Sequence, residues 1–184
     1  MGYFPMCMDL AGKPVLLIGK GKEIDYKVEK LLPFGPEMIC RERFDEKDLE
    51  MAPLLVVVGD TEEKEAERIA AICREHRIPI NVVDVPRLCT FIFPALITAG
   101  DLTISVSTAG KSPAAAVYLR KQISAQLPDR TEEILDWLAE VRMELRRHYE
   151  MNQYKGVLSK ITAMAFEKNR PLTEEEYAGY LKEI

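Results

Sequence analysis

The chain has 184 residues, 47% of them apolar and 30% charged, with a formal net charge of −5; this suits one medium domain or a core with an appendage and excludes a two-enzyme fusion. Net acidity argues against nucleic-acid binding through bulk phosphate neutralisation. No apolar run approaches the roughly 18 residues of a membrane span, and the N-terminus lacks a basic-then-apolar leader pattern, so a cytoplasmic protein without a membrane partner is expected.

Residues 14–18 (Pro-Val-Leu-Leu-Ile) form a continuous apolar run ending in Gly19-Lys20-Gly21, the pattern of a strand buried on both faces that enters a tight turn. Apolar residues Ile24, Val28, Leu31 and Leu32 then fall at helical spacing, and Pro33-Phe34-Gly35-Pro36 stops the helix. Residues 38–44 are polar enough for an edge strand, and residues 54–58 (Leu-Leu-Val-Val-Val) form a second buried strand ending at Gly59-Asp60-Thr61. A helix over 62–77 follows, with Thr61 as its N-cap, and a third buried strand over 78–83 runs into Asp84-Val85-Pro86. Alternation of this kind predicts a mostly parallel α/β sheet covered on both faces.

The pattern changes after Pro94. Residues 102–107 alternate with period two, a small-residue loop spans 108–113, and a helix is expected over 114–126. From Asp129 onward the chain reads as helical, with Ile134, Leu135, Leu138, Val141 and Leu145 on one core-facing stripe. The four cysteines (Cys7, Cys40, Cys73, Cys89) lack C-x-x-C spacing and read as buried free thiols. With His76 and His148 alone, metal chemistry must lean on carboxylates or on a ligand that brings its own nitrogens.

Three stretches carry candidate chemistry. The G-x-G turn, with Lys20 and Lys22 beside Gly19 and Gly21, suits a pyrophosphate at a helix N-terminus, although Ile24 replaces the third small residue of a dinucleotide fingerprint. Glu42 lies near the place of a ribose-binding acid, and reads either as that acid or as an exposed charge between Arg41 and Arg43. Asp84, just past a buried strand, is either an acid/base or metal-handling group or a turn-forming residue before Pro86. Ser107 to Pro113, with Thr108, Gly110, Lys111 and Ser112, is either an anion-binding loop or a helix cap with a tight turn.

Taken together, Tyr3-Phe4-Pro5-Met6, Gly19 and Gly21, Asn81-Val82-Val83-Asp84, residues 89–95 (Cys-Thr-Phe-Ile-Phe-Pro-Ala), residues 100–105 (Gly-Asp-Leu-Thr-Ile-Ser) and Gly110-Lys111-Ser112-Pro113 resemble the precorrin-2 dehydrogenase and sirohydrochlorin ferrochelatase family, the N-terminal part of siroheme synthases. The resemblance implies a Rossmann-like domain over 1–93, a short dimerisation region over 94–124 and a helical domain over 125–184. It implies a homodimer that oxidises the acidic tetrapyrrole precorrin-2 to sirohydrochlorin with NAD. The alternatives it leaves are a sirohydrochlorin ferrochelatase taking Fe²⁺ as substrate, or a tetrapyrrole binder with a degenerate NAD site. Asp84 matches the family's acid/base or metal-handling aspartate and Ser107, Thr108, Gly110, Lys111 and Ser112 its tetrapyrrole-facing segment; Gly19, Lys20, Gly21, Lys22, Glu42, Gly59 and Asp60 are expected on the cofactor side, where Lys20 stands for the family's middle glycine and Gly59-Asp60-Thr61 for its Ala-Thr-Asp. Arg120 and Lys111 supply local positive charge for an acidic substrate. Against the family pattern the chain is short by about 15–20 residues between Phe34 and Leu54, which suggests that the strand holding the ribose acid is lost and that dinucleotide binding is weakened.

Overall fold

A computed structural model describes residues 2–182. The chain forms two compact units, Met1–Phe93 and Pro94–Ile184. The first unit runs β1 (Pro14–Ile18), α1 (Lys22–Leu31), β2 (Glu37–Arg41), β3 (Leu55–Val58), α2 (Glu63–Glu75) and β4 (Ile80–Val82). All pairings are parallel, in the order β2-β1-β3-β4.

The unbroken apolar strands follow from burial on both faces. Leu16, Val56 and Val58 pack with Ala66, Ile69, Ala70 and Cys73 of α2. Val15, Leu17, Leu55 and Val57 pack on the other face with Ile24 and Leu31 of α1. Each central strand therefore divides its side chains between two cores with the strand period of two. The polar strand β2 lies at the edge, as its composition anticipates.

Four expectations for this unit are corrected. In a dinucleotide-binding sheet of order 3-2-1-4-5-6, the ribose acid follows the strand directly beside the first. That strand is present here as β2, and it is the outer position beyond β2 that has no strand among the described residues. The edge strand expected over residues 38–44 is shorter at its end: β2 runs Glu37–Arg41, and Asp45 caps a 3₁₀ turn, Glu46–Met51, through a reciprocal capping box with Asp48. The buried Asp48 carboxylate also accepts from Arg41 Nε at 2.9 Å, which fastens the strand end to the turn. Thr61 is not the cap of α2: the helix starts at Glu63, Glu62 holds the cap position without a side-chain hydrogen bond, and Glu63 and Glu65 meet the helix dipole instead. Of the four thiols only Cys73 is fully buried, its pKa pushed up to about 11 by desolvation. Cys7 and Cys40 are exposed, the latter because an edge strand leaves its side chains open.

The second unit opens with a hairpin, β5 (Ala95–Ala99) and β6 (Leu102–Val106), that turns at Gly100 with φ +55°. Helix α3 (Pro113–Ser124) follows, then α4 (Thr131–His148), α5 (Met151–Glu167) and α6 (Glu174–Lys182). Ala-Leu-Ile-Thr-Ala after Pro94 shows no alternation that would announce strand β5; the Leu96–Ser105 and Ile97–Ile104 pairings make it a strand. Val141, Leu145, Tyr154, Val157, Ile161 and Leu172 form the helical core, and Trp137 meets Tyr177 of α6 edge-on at 6.1 Å.

One carboxylate ties the start of α6 to the residues that precede it. Glu176 receives both Arg170 guanidinium nitrogens at 2.8 Å, Lys168 Nζ at 3.0 Å and the Thr173 N–H at 2.9 Å. The Arg170 bonds, with the Thr173 and Lys168 donors, hold its pKa far below the usual carboxylate range. A depressed folded-state pKa contributes stability above the unfolded value of about 4.3 and loses it as pH falls toward the folded value. Emission from Trp137, the single tryptophan, is therefore expected to change as α6 loosens below about pH 4. Glu176→Gln should remove that acid step, and an unchanged transition in the variant would refute the assignment.

Candidate functional site

Parallel strands bring their carboxyl ends to one edge of the sheet, and the predicted first-unit residues gather there. Gly19 follows β1, Glu42 follows β2, Gly59 and Asp60 follow β3, and Asp84 lies two residues past β4. Backbone bonds extend the pairing past the strands: the Gly19 N–H donates to Arg41 O at 2.8 Å, and the Gly59 N–H to Ile18 O at 2.8 Å.

The turn after β1 requires glycine at both ends. Gly19 has φ +109°, and Gly21, the cap residue of α1, has φ +95° with an extended ψ that side chains do not tolerate. No side chain caps α1, and a β-carbon placed on Gly21 would meet no atom within 4 Å. An uncapped ten-residue helix behind an open glycine turn fits the pyrophosphate of a dinucleotide. Lys20 and Lys22 are exposed beside it.

Ile24, in the place of the fingerprint's third glycine, is buried against Gly59: a β-carbon on Gly59 would lie 2.6 Å from Ile24 Cγ1. The close helix–strand approach that the third glycine ordinarily permits is kept by moving the missing side chain from the helix to the end of β3. Glu42 accepts from Lys20 Nζ at 3.3 Å, both side chains being largely exposed. Such a pair is worth about 0–1 kcal/mol, so a ribose hydroxyl can compete for the carboxylate.

Asp84 is exposed and adopts φ +57°, a left-handed conformation in which aspartate and asparagine are favoured among residues with side chains. Its loop is fastened from both sides. The Val83 N–H donates to Val58 O at 2.9 Å, and residues 89–91 run back along β4: Thr90 N–H donates to Ile80 O at 2.8 Å, and Thr90 Oγ1 accepts from the Ile80 N–H at 2.8 Å. Cys89 Sγ accepts from the Val82 N–H at 3.2 Å and lies 3.2 Å from Val82 O, while Asn81 Nδ2 donates to Phe91 O at 3.1 Å. Burial pushes the Cys89 thiol pKa up, consistent with a thiol acting as a clasp. Asn81 Oδ1 is buried and has no hydrogen-bond partner among the described residues.

One residue of this edge escaped the sequence reading. Lys27 is half-buried on α1, with Nζ 4.6 Å from the Phe93 ring centroid. Desolvation, followed by the neighbouring Lys30 charge, lowers its pKa, and the Asp84 carboxylate opposes that shift. Spacing held the signal: Ile24, Lys27 and Leu31 share one face of the helix, so a lysine stands among the residues facing the sheet.

In the second unit, the Ser107–Pro113 loop carries out much of its own hydrogen bonding. Thr108 Oγ1 donates to Ser112 O at 3.0 Å and accepts from the Ser112 N–H at 3.1 Å. Ser112 Oγ caps α3 by accepting from the Ala115 N–H at 3.2 Å, and Ser107 Oγ accepts from the Ala109 N–H at 3.2 Å. Lys111 and Gly110 are exposed, and Arg120 on α3 is half-buried. Two open depressions of about 440 and 500 Å³ lie on the helices instead, lined by residues such as Arg142, Tyr154 and Arg146, and contain none of the candidate cofactor-side or substrate-side residues. Among the described residues no three His, Cys, Asp or Glu side chains converge on a metal position, and no helix is long and apolar enough to cross a membrane.

Residues 6–95 match a family described as NAD(P)-binding, and residues 99–126 match the sirohaem biosynthesis protein central family. A siroheme synthase of Neisseria meningitidis serogroup B (strain MC58) is 27% identical over 212 aligned positions, which cover all of this chain and 43% of that protein. A siroheme synthase of Methylococcus capsulatus is 32% identical over 168 positions, covering 80% of this chain and 35% of that one. The chain thus spans less than half the length of these relatives. The solved structure of SirC, a precorrin-2 dehydrogenase, superposes with a TM-score of 0.73 at 16% identity, covering 98% of both chains, and so shares the fold.

Proposed function

The chain belongs to the family formed by the N-terminal part of siroheme synthases, and from that premise we propose that it oxidises precorrin-2 to sirohydrochlorin with NAD. The observation that carries this reading is the placement of Asp84, in a left-handed turn clasped to β4, on the same sheet edge as the Gly19–Gly21 turn. The α1 N-terminus with Gly19, Gly21, Lys20 and Lys22 would hold the pyrophosphate, Glu42 a ribose hydroxyl, and Gly59 and Asp60 the edge between them. Bound there, NAD supplies the hydride acceptor. Asp84 takes the proton that leaves the tetrapyrrole skeleton, so that loss of one hydride and one proton accounts for the two-electron oxidation. Lys111, Ser107, Thr108, Gly110, Ser112 and Arg120 face the acidic substrate in this reading, residues 94–124 form the dimerisation region of a cytoplasmic homodimer, and residues 125–184 the helical domain.

The sheet order, with no strand beyond β2 among the described residues, favours a second reading, in which the dinucleotide is held weakly and the chain is a sirohydrochlorin ferrochelatase. There the macrocycle nitrogens receive Fe²⁺ as substrate while Asp84 takes up the displaced protons or hands over the metal. Incubation with precorrin-2 and NAD distinguishes the two: NADH absorbance should grow with the loss of precorrin-2. No NADH at saturating NAD, with iron insertion into sirohydrochlorin, would leave the second reading in place of the first.

A further inference from the structure

A lysine on a helix ordinarily runs its stem over apolar surface and keeps its amine in water. Lys27 does otherwise: its amine lies over the Phe93 ring, is partly desolvated and is within electrostatic reach of Asp84 and of the Cys89 thiol. Phe93 is packed against Phe91, with ring centroids 5.4 Å apart at 57°, so the cation adjoins an aromatic surface rather than a polar one. We infer that Lys27, seated on Phe93, grips a peripheral carboxylate of a flat macrocyclic substrate whose reacting carbon lies at Asp84. The inference rests on the proposed function and adds to it the residue that orients the ring.

A dinucleotide phosphate would be the other anion of suitable charge. It is disfavoured by position: Lys27 is six residues beyond Gly21, about 9 Å farther along α1, and its amine lies over Phe93 within the electrostatic influence of Asp84 and Cys89. The pairing of an aromatic face with a cation and a carboxylate also matches a conjugated ring bearing acidic side chains better than it matches a pyrophosphate. Charged and titratable groups around the amine are Lys30, Glu23 and Tyr26 on α1 and Asp84 and Cys89 on the β4 side.

Sirohydrochlorin titrated into the full chain, followed by its absorbance, and NAD titrated by calorimetry test the inference. Lys27→Met should weaken sirohydrochlorin binding about tenfold or more, leave NAD affinity within about twofold, and be largely rescued by Lys27→Arg. Parent binding should also fall at alkaline pH below the ordinary lysine value of about 10.4, as the lowered amine deprotonates, and Lys27→Arg should not show that fall. Should Lys27→Met fail to fold, Lys27→Gln carries the same expectations. Unchanged sirohydrochlorin affinity in the variants overturns the inference alone, as does equal loss of NAD and sirohydrochlorin. A parent chain that does not bind sirohydrochlorin overturns the inference together with the functional reading on which it rests.

Discussion

Asp84→Asn is expected to lower turnover of precorrin-2 by about 10²–10⁴-fold, the usual contribution of a positioned acid/base group, with little change in affinity for substrate or NAD. Asparagine is the informative replacement because of the backbone. At φ +57° an alanine would add strain, so Asp84→Ala would mix loss of the carboxylate with movement of the loop, whereas asparagine accepts the left-handed region and keeps the side-chain shape. The clasp by Cys89, Thr90 and Asn81 lies behind residue 84 and does not use its carboxylate, so it survives the substitution. Matching melting temperatures for parent and variant would show that only the proton acceptor is gone. In single-turnover experiments the loss should appear in the chemical step. If Asp84→Asn retains more than about a tenth of parental turnover, the carboxylate is not the proton acceptor and its role reduces to shaping the turn.

The parts of this site differ in how far the sequence discloses them, and the difference has physical causes. Strands β1 and β3 are legible because burial on both faces leaves only apolar residues over 14–18 and 55–58. The G-x-G turn and Asp84 are legible because a ligand edge has a fixed place in a parallel sheet. The edge strand β2 is harder: it is buried on neither side fully, so composition does not separate its end from the capped turn at Asp45 or show that β2 is the strand beside β1. The Cys89–Thr90 clasp and the role of Lys27 are nonlocal. Lys27 acquires its character from Phe93 and Asp84, more than fifty residues away, and no local pattern encodes that meeting. In the helical unit the break between α4 and α5 falls at Tyr149-Glu150, which contains no glycine or proline to announce it.

Gly59→Ala should destabilise the first unit by about 1–3 kcal/mol, because the new methyl meets Ile24 in a packed core. The β-carbon would lie 2.6 Å from Ile24 Cγ1 and 2.9 Å from Cδ1. Ile24 is 4% exposed and surrounded by Val15, Leu17, Leu55 and Val57, which are themselves buried between sheet and helix, so it has little space into which to retreat. Gly59, unlike Gly19 and Gly21, does not have a positive φ, so alanine there is penalised by the contact and not by the backbone. Ile24→Ala alone should cost about 2–5 kcal/mol through the cavity it leaves. In that background the Gly59 methyl enters vacated space, and Gly59→Ala should be neutral or stabilising, giving a coupling energy of about 1–3 kcal/mol in a denaturation cycle. The same contact sets how closely α1 approaches β3, and therefore where its N-terminus stands relative to the glycine turn. Gly59→Ala should accordingly weaken NAD binding, and Ile24→Ala combined with Gly59→Ala should recover part of it. Equal costs of Gly59→Ala in the parent and Ile24→Ala backgrounds would mean that Ile24 is not what Gly59 accommodates, and that the missing third glycine is compensated elsewhere.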